Sequence, residues 1–154
     1  MSEHVVENLL PRLGTRRAYF DYLDRWTVGA VNDLRAHMTS RALVKAYLLE
    51  TSRMQGDRDP LNALRAMDYE VTAIDDTLFG LRIREDGADW ALMEIEDDRY
   101  PVLYTALESR FADRRVDDLV YKSAAFDRAW FAAPMFNRLW DVVLNAFPDH
   151  RFTQ

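Results

Sequence analysis

The chain has no cysteine among its 154 residues. That absence removes disulfides, thiolate catalysis and cysteine-based zinc or iron–sulfur sites together, because each needs the sulfur atom. Lysine is nearly missing too: of 20 basic residues only Lys45 and Lys122 are lysine, a bias that points to a GC-rich prokaryotic genome more readily than to a special need for guanidinium geometry. No apolar run approaches the ~20 residues that cross a bilayer. The opening MSEHVVENLL lacks the basic start and long apolar stretch of a signal peptide, so the expectation is a cytoplasmic protein without membrane contact. No GxxxxGK[ST], GxGxxG or GxSxG motif occurs, which argues against phosphate-cradling glycine loops and nucleophile elbows. The three histidines, His4, His37 and His150, have no metal-ligand spacing. No cofactor is expected.

What remains is an ordinary globular composition, 49% hydrophobic and 30% charged. At this length folding buries roughly 70% of the unfolded surface, enough for a core without staples, and one domain over residues 1–154 is expected. From 15 to 38 the apolar residues Tyr19, Tyr22, Leu23, Trp26, Ala30, Leu34 and Met38 recur at three and four, the stripe of an amphipathic helix with Thr15 as N-cap. The run ALVKAYLL at 42–49 reads as a second, buried helix beginning near Thr39 or Ser40. Asp59 and Pro60 open a short helix, proline at the first position lacking only a donor that would be unpaired anyway.

The period then changes to two. Segments 69–74, 78–84 and 90–96 alternate as half-buried strands do, and Asp86-Gly87 marks a hairpin. A loop at 86–88 pairs Phe79, Leu81 and Ile83 with Ile95, Met93 and Ala91, leaving Arg82, Arg84, Glu94 and Glu96 on a polar face. Segment 100–107 leans towards strand, 113–123 is helical, Ala129–Ala133 is a short apolar piece, and Phe136, Leu139, Trp140, Val143, Leu144 and Phe147 form the clearest helical stripe in the chain. The predicted architecture is α+β. N-terminal helices (about 1–67) pack on one face of a small antiparallel meander of three or four strands (about 68–98), followed by a mixed C-terminal part (about 99–154).

Charge is unevenly placed. Residues 68–98 hold 11 acidic side chains against Arg82 and Arg84, a net of −9, whereas 1–67 (10 basic, 8 acidic) and 99–154 (8 basic, 7 acidic) sum to +3, giving the whole-chain −6. Many of these carboxylates suit solvated turns, where aspartate caps backbone amides. As a functional surface they form an acidic face for a partner protein with a basic surface. Net acidity disfavours nucleic acid, although Arg16–Arg17 and Arg110, Arg114 and Arg115 would meet phosphate if they converged.

The aromatic stretch FDRAWFAAPMFNRLW holds Phe126, Trp130, Phe131, Phe136 and Trp140. Rings at helical spacing fill cores. The functional reading instead exposes Trp130 or Phe131 as an anchor. The strand, hairpin, helix, strand order with carboxylates on the hairpin also resembles in outline the restriction-type nucleases, which place an aspartate and then Glu-x-Lys around Mg²⁺. Here Asp76 or Asp89 would be the first carboxylate and Glu94 the second, but Glu96 stands where the lysine belongs, so the motif is incomplete. The preferred expectation is a non-enzymatic protein-interaction module: an adaptor, an inhibitor or immunity-type protein, or an N-terminal domain of something longer. It would bind through Glu94, Glu96, Asp97 and Asp98 or through Trp130 and Phe131. The alternatives are a metal-dependent nuclease-like enzyme using Asp76, Asp89 and Glu94, and a small-ligand sensor with an aromatic pocket.

Overall fold

A computed structural model describes residues 10–37, 42–51, 59–83 and 89–146. Helix α1 (Arg16–Arg35) begins where the spacing places it, with the Thr15 hydroxyl accepting the Ala18 N–H at 3.2 Å. Strand β1 (Lys45–Thr51) follows, then α2 (Pro60–Ala66), whose cap is the Asp59 carboxylate accepting the Leu61 N–H. Asp68, at φ 65°, turns the chain out of α2, a backbone region that aspartate tolerates better than most residues. Strands β2 (Tyr69–Ala73), β3 (Leu78–Ile83), β4 (Asp89–Glu94) and β5 (Val102–Thr105) form a meander, and α3 (Ser109–Lys122), β6 (Phe126–Arg128) and α4 (Ala133–Ala146) complete the chain.

The fold is α+β, with four helices and one six-stranded antiparallel sheet among the described residues, in the order β2-β3-β4-β5-β1-β6. Two strands beyond the expected meander account for the larger sheet. Segment 42–49, expected as a helix, is instead largely β1, an internal strand between β5 and β6. A short continuous apolar run is as compatible with a buried strand as with a buried helix. Strand β6, only three residues long, sits just ahead of the apolar piece noted at 129–133. The expected helix starts at Thr39 and Ser40 and the Asp86-Gly87 turn fall outside the described residues.

Helices cover both faces of the sheet rather than one. Leu81, Met93, Leu103 and Leu49 pack with Leu64 of α2 and with Ala112, Val116 and Leu119 of α3, whereas Leu78 and Leu92 pack on the other face with Tyr19 and Leu23 of α1. The β3–β4 pairing is also two residues from the expected register: Phe79 faces Met93, Leu81 faces Ala91 and Leu78 faces Glu94. A shift of two keeps every side chain on its own face. Between Leu81 and Arg82 the ladder is interrupted by a bulge, which sends both Trp90 and Ala91 into the α3-side core. The Thr105 hydroxyl donates to the Trp90 carbonyl at 2.7 Å, satisfying a buried acceptor beside the irregularity. The Trp90 ring packs at 6.0 Å from Tyr69 with the Arg115 guanidinium on it.

Candidate functional site

Because β3 starts opposite the end of β4, the β2–β3 turn and the β4–β5 connection leave the sheet at the same end. The two are joined directly, the Ile95 N–H donating to the Thr77 carbonyl at 2.7 Å. This brings Asp75, Asp76, Glu94, Glu96, Asp97 and Asp98 to one rim. Aspartate at the turn follows the usual rule of a carboxylate capping its own loop: Asp75 Oδ1 accepts the N–H groups of Thr77 and Leu78 at 2.9 and 2.8 Å. Asp97 does the same in the next connection, accepting the Arg99 N–H at 2.7 Å.

Arg16, on the first turn of α1, reaches into this rim. Its Nε donates to Asp75 at 2.6 Å, and its terminal nitrogens donate to Glu94 and to the Thr77 hydroxyl. Glu94 is held from its other side by the Tyr104 hydroxyl, which donates to Oε2 at 2.8 Å. One guanidinium thus ties α1, the β2–β3 turn and β4 together, a use of its forked geometry that a lysine could not reproduce. Its effects on ionisation are consistent. The Arg16 hydrogen bond, reinforced by the Thr77 and Leu78 amides, holds Asp75 well below the usual carboxylate range. The two carboxylates, Asp75 first, push Arg16 up. Burial, then the bond to Glu94, pushes Tyr104 up to about 12.

The sequence-derived carboxylates therefore divide. Glu94 is half-buried and engaged, whereas Glu96, Asp97, Asp98 and Asp76 are exposed. Asp98 offers its backbone carbonyl to the Thr51 hydroxyl, and Arg99 beside it binds Glu50 of β1 at 2.7 Å, so the connection is fastened on both sides. Asp89 lies at the start of β4, and its side chain is outside the described residues. Among the described residues, no group of three or more His, Asp or Glu side chains is placed to hold a metal ion. The arginine clusters do not converge: Arg16 and Arg17 belong to α1, Arg110, Arg114 and Arg115 to α3, across the sheet. In the sequence Arg16 stands as a phosphate candidate, and no local spacing signals its partners, which lie 59 to 78 residues away.

The aromatic segment forms the second candidate surface. Trp130 is 79% exposed and Phe131 half-buried. Helix α4 is where the stripe predicts it, yet the stripe is not core: Met135, Phe136, Leu139, Val142 and Leu144 are all exposed, and Trp140 and Val143 are only half-buried.

The sequence pattern of the family described as MJECL33-like protein matches residues 16–147. The chain belongs to the MJECL33-like protein family. The match starts on the residue that organises the acidic rim and takes in α4, so both candidate surfaces lie within the family's span. No curated protein and no solved structure matches the chain. No helix among the described residues is long and apolar enough to cross a membrane.

Proposed function

We propose that this chain is a non-enzymatic protein-interaction module that presents its acidic rim to a partner with a basic surface. The observation that carries this reading is the fixed placement of exposed carboxylates. Asp76, Glu96, Asp97 and Asp98 stand on two turns that are hydrogen-bonded to each other and anchored to α1, β4 and β1 through Arg16, Glu94 and Arg99. Turns held in place before binding leave little backbone freedom to lose on association. With six carboxylates against Arg16 and Arg99, the rim is net acidic, which steers a basic partner and repels nucleic acid. The alternative of a nuclease-like metal site needs Glu94 open to a cation, and Arg16 and Tyr104 engage both of its oxygens.

The test is affinity capture from a source lysate at low salt with the rim intact and reversed. A stoichiometric basic protein released by raised salt is expected. Glu96→Lys with Asp98→Lys should weaken it by about tenfold or more, since like charges placed opposite one another are costly. A partner whose binding is indifferent to both salt and charge reversal would sink the reading.

A further inference from the structure

We propose that Asp75, Thr77 and Glu94 form a binding site for an arginine side chain of the partner, and that Arg16 is its resident occupant, displaced when that partner docks. The inference rests on the acidic-rim reading and names the group that the basic partner delivers. Three observations carry it. The first is that the acceptors match the whole fork of a guanidinium. Arg16 donates to Asp75 from Nε at 2.6 Å and from Nη2 at 3.2 Å, to the Thr77 hydroxyl from Nη2 and to Glu94 from Nη1. All three nitrogens are engaged. Acceptors spread in this way suit a planar fork of donors, whereas an ammonium is a single point.

The second observation is that bonds other than those of Arg16 hold the acceptors. The Thr77 and Leu78 amides donate to Asp75 Oδ1, the Tyr104 hydroxyl donates to Glu94 Oε2, and the Ile95 N–H joins the two connections through the Thr77 carbonyl. A site organised by its own bonds is ready for a second guanidinium when the first leaves. The third is where Arg16 comes from. It is the first residue of α1, in a turn that has Arg17 beside it and no acidic side chain. A cation there meets the positive end of the helix dipole, and terminal turns fray at little cost. An arginine from another chain makes the same bonds without that repulsion. Arg16 and Asp75 are both about a third exposed, so the site opens to solvent. What favours Arg16 is its tether, which acts as a local concentration on the order of millimolar. A partner already drawn to Asp76, Glu96, Asp97 and Asp98 presents its own arginine on equal terms. The exchange keeps the two turns tied through the incoming guanidinium and releases the first turn of α1.

The test uses the full chain and N-acetyl-arginine amide as the probe, with N-acetyl-lysine amide at equal ionic strength as its control, followed by amide NMR shifts. In Arg16→Ala the site has no resident occupant, and the arginine probe should bind about tenfold or more tightly than to wild type, where it competes with a tethered group. The shifts should centre on Thr77, Leu78 and Ile95, and the probe should raise the variant's melting temperature towards that of wild type. The lysine probe should do neither. Should Arg16→Ala not fold, Arg16→Lys keeps a cation in the site without the fork, and the arginine probe should bind it several-fold better than wild type. Arg16→Ala should also capture the basic partner several-fold more tightly than wild type, the opposite of what loss of a merely structural arginine gives. No binding of the arginine probe to these variants, equal binding to wild type, an equal response to the lysine probe, or weaker capture of the partner would each overturn the proposal. Adding Glu96→Lys and Asp98→Lys to Arg16→Ala leaves the site's acceptors in place. The preference for the arginine probe should then persist while capture of the partner is lost, which separates failure of this site from failure of the rim reading. Loss of that preference would place the binding on the outer carboxylates and sink the proposal.

Discussion

The acidic rim and the C-terminal helix face water in opposite ways. At the rim, Asp75 and Glu94 share the Arg16 guanidinium, while the Thr77 and Leu78 amides and the Tyr104 hydroxyl take up further acceptor sites, so that the two carboxylates hold α1 against the sheet. At α4, apolar side chains that would ordinarily be buried remain outside, with Trp130 beside them. Net charge and mean hydropathy reveal neither arrangement. A carboxylate count overstates how much of the rim is available to a partner, and an apolar stripe overstates how much of α4 is core. What separates the two regions is which groups the rest of the fold reaches.

The largest effects should fall on the core that underlies the rim. Leu92→Ala and Leu103→Ala remove fully buried side chains on the two faces of the sheet, and each should cost about 2–5 kcal/mol by urea unfolding. Leu139→Ala, the same chemical change in α4, should cost no more than about 0.5 kcal/mol in dilute protein. Similar losses at all three sites would erase the contrast. Next comes Arg16→Met, which keeps the stem but leaves Asp75 and Glu94 without their cation. A loss of about 1–2 kcal/mol is expected, solvent at this partly exposed cluster being allowed for, with a gain in solvent exchange at the start of α1.

A smaller and more specific effect concerns pH. Asp75 is held below its ordinary value, so the stability it contributes is fully present above the unfolded value of about 3.9 and is lost as pH falls below it towards the lower folded value. Wild type and Asp75→Asn should therefore differ in melting temperature at neutral pH and converge on acidification below about pH 4. A gap that is constant or grows with acid would show that Arg16 does not hold the carboxylate in its charged form.

Much of this fold is legible locally. Thr15, Asp59 and Pro60 mark helix starts because capping is a matter of adjacent residues. The alternation at 69–74, 78–84 and 90–96 marks strands for the same reason. Segment 42–49 misleads because a short continuous apolar run has no period that separates strand from helix: in β1 Tyr47 and Leu49 serve the α3-side core, whereas Ala46 and Leu48 stand exposed on the other face. The β3–β4 register is illegible for a different reason, since a two-residue slip preserves every side chain's face and leaves the hydrophobic pattern unchanged. The rim shows the same limit. Its carboxylates are evident in the sequence, but the separation of Glu94 from Glu96 and Asp98 depends on Arg16, which reaches them from 78 residues away.

Amide hydrogen exchange compares the two regions most directly. In dilute protein, the amides of α1 around Tyr19 and Leu23 should be protected to near the global stability and those of α4 far less. Equal protection of the two helices would contradict this account, because α4 would then be packed on its own chain as closely as α1 is.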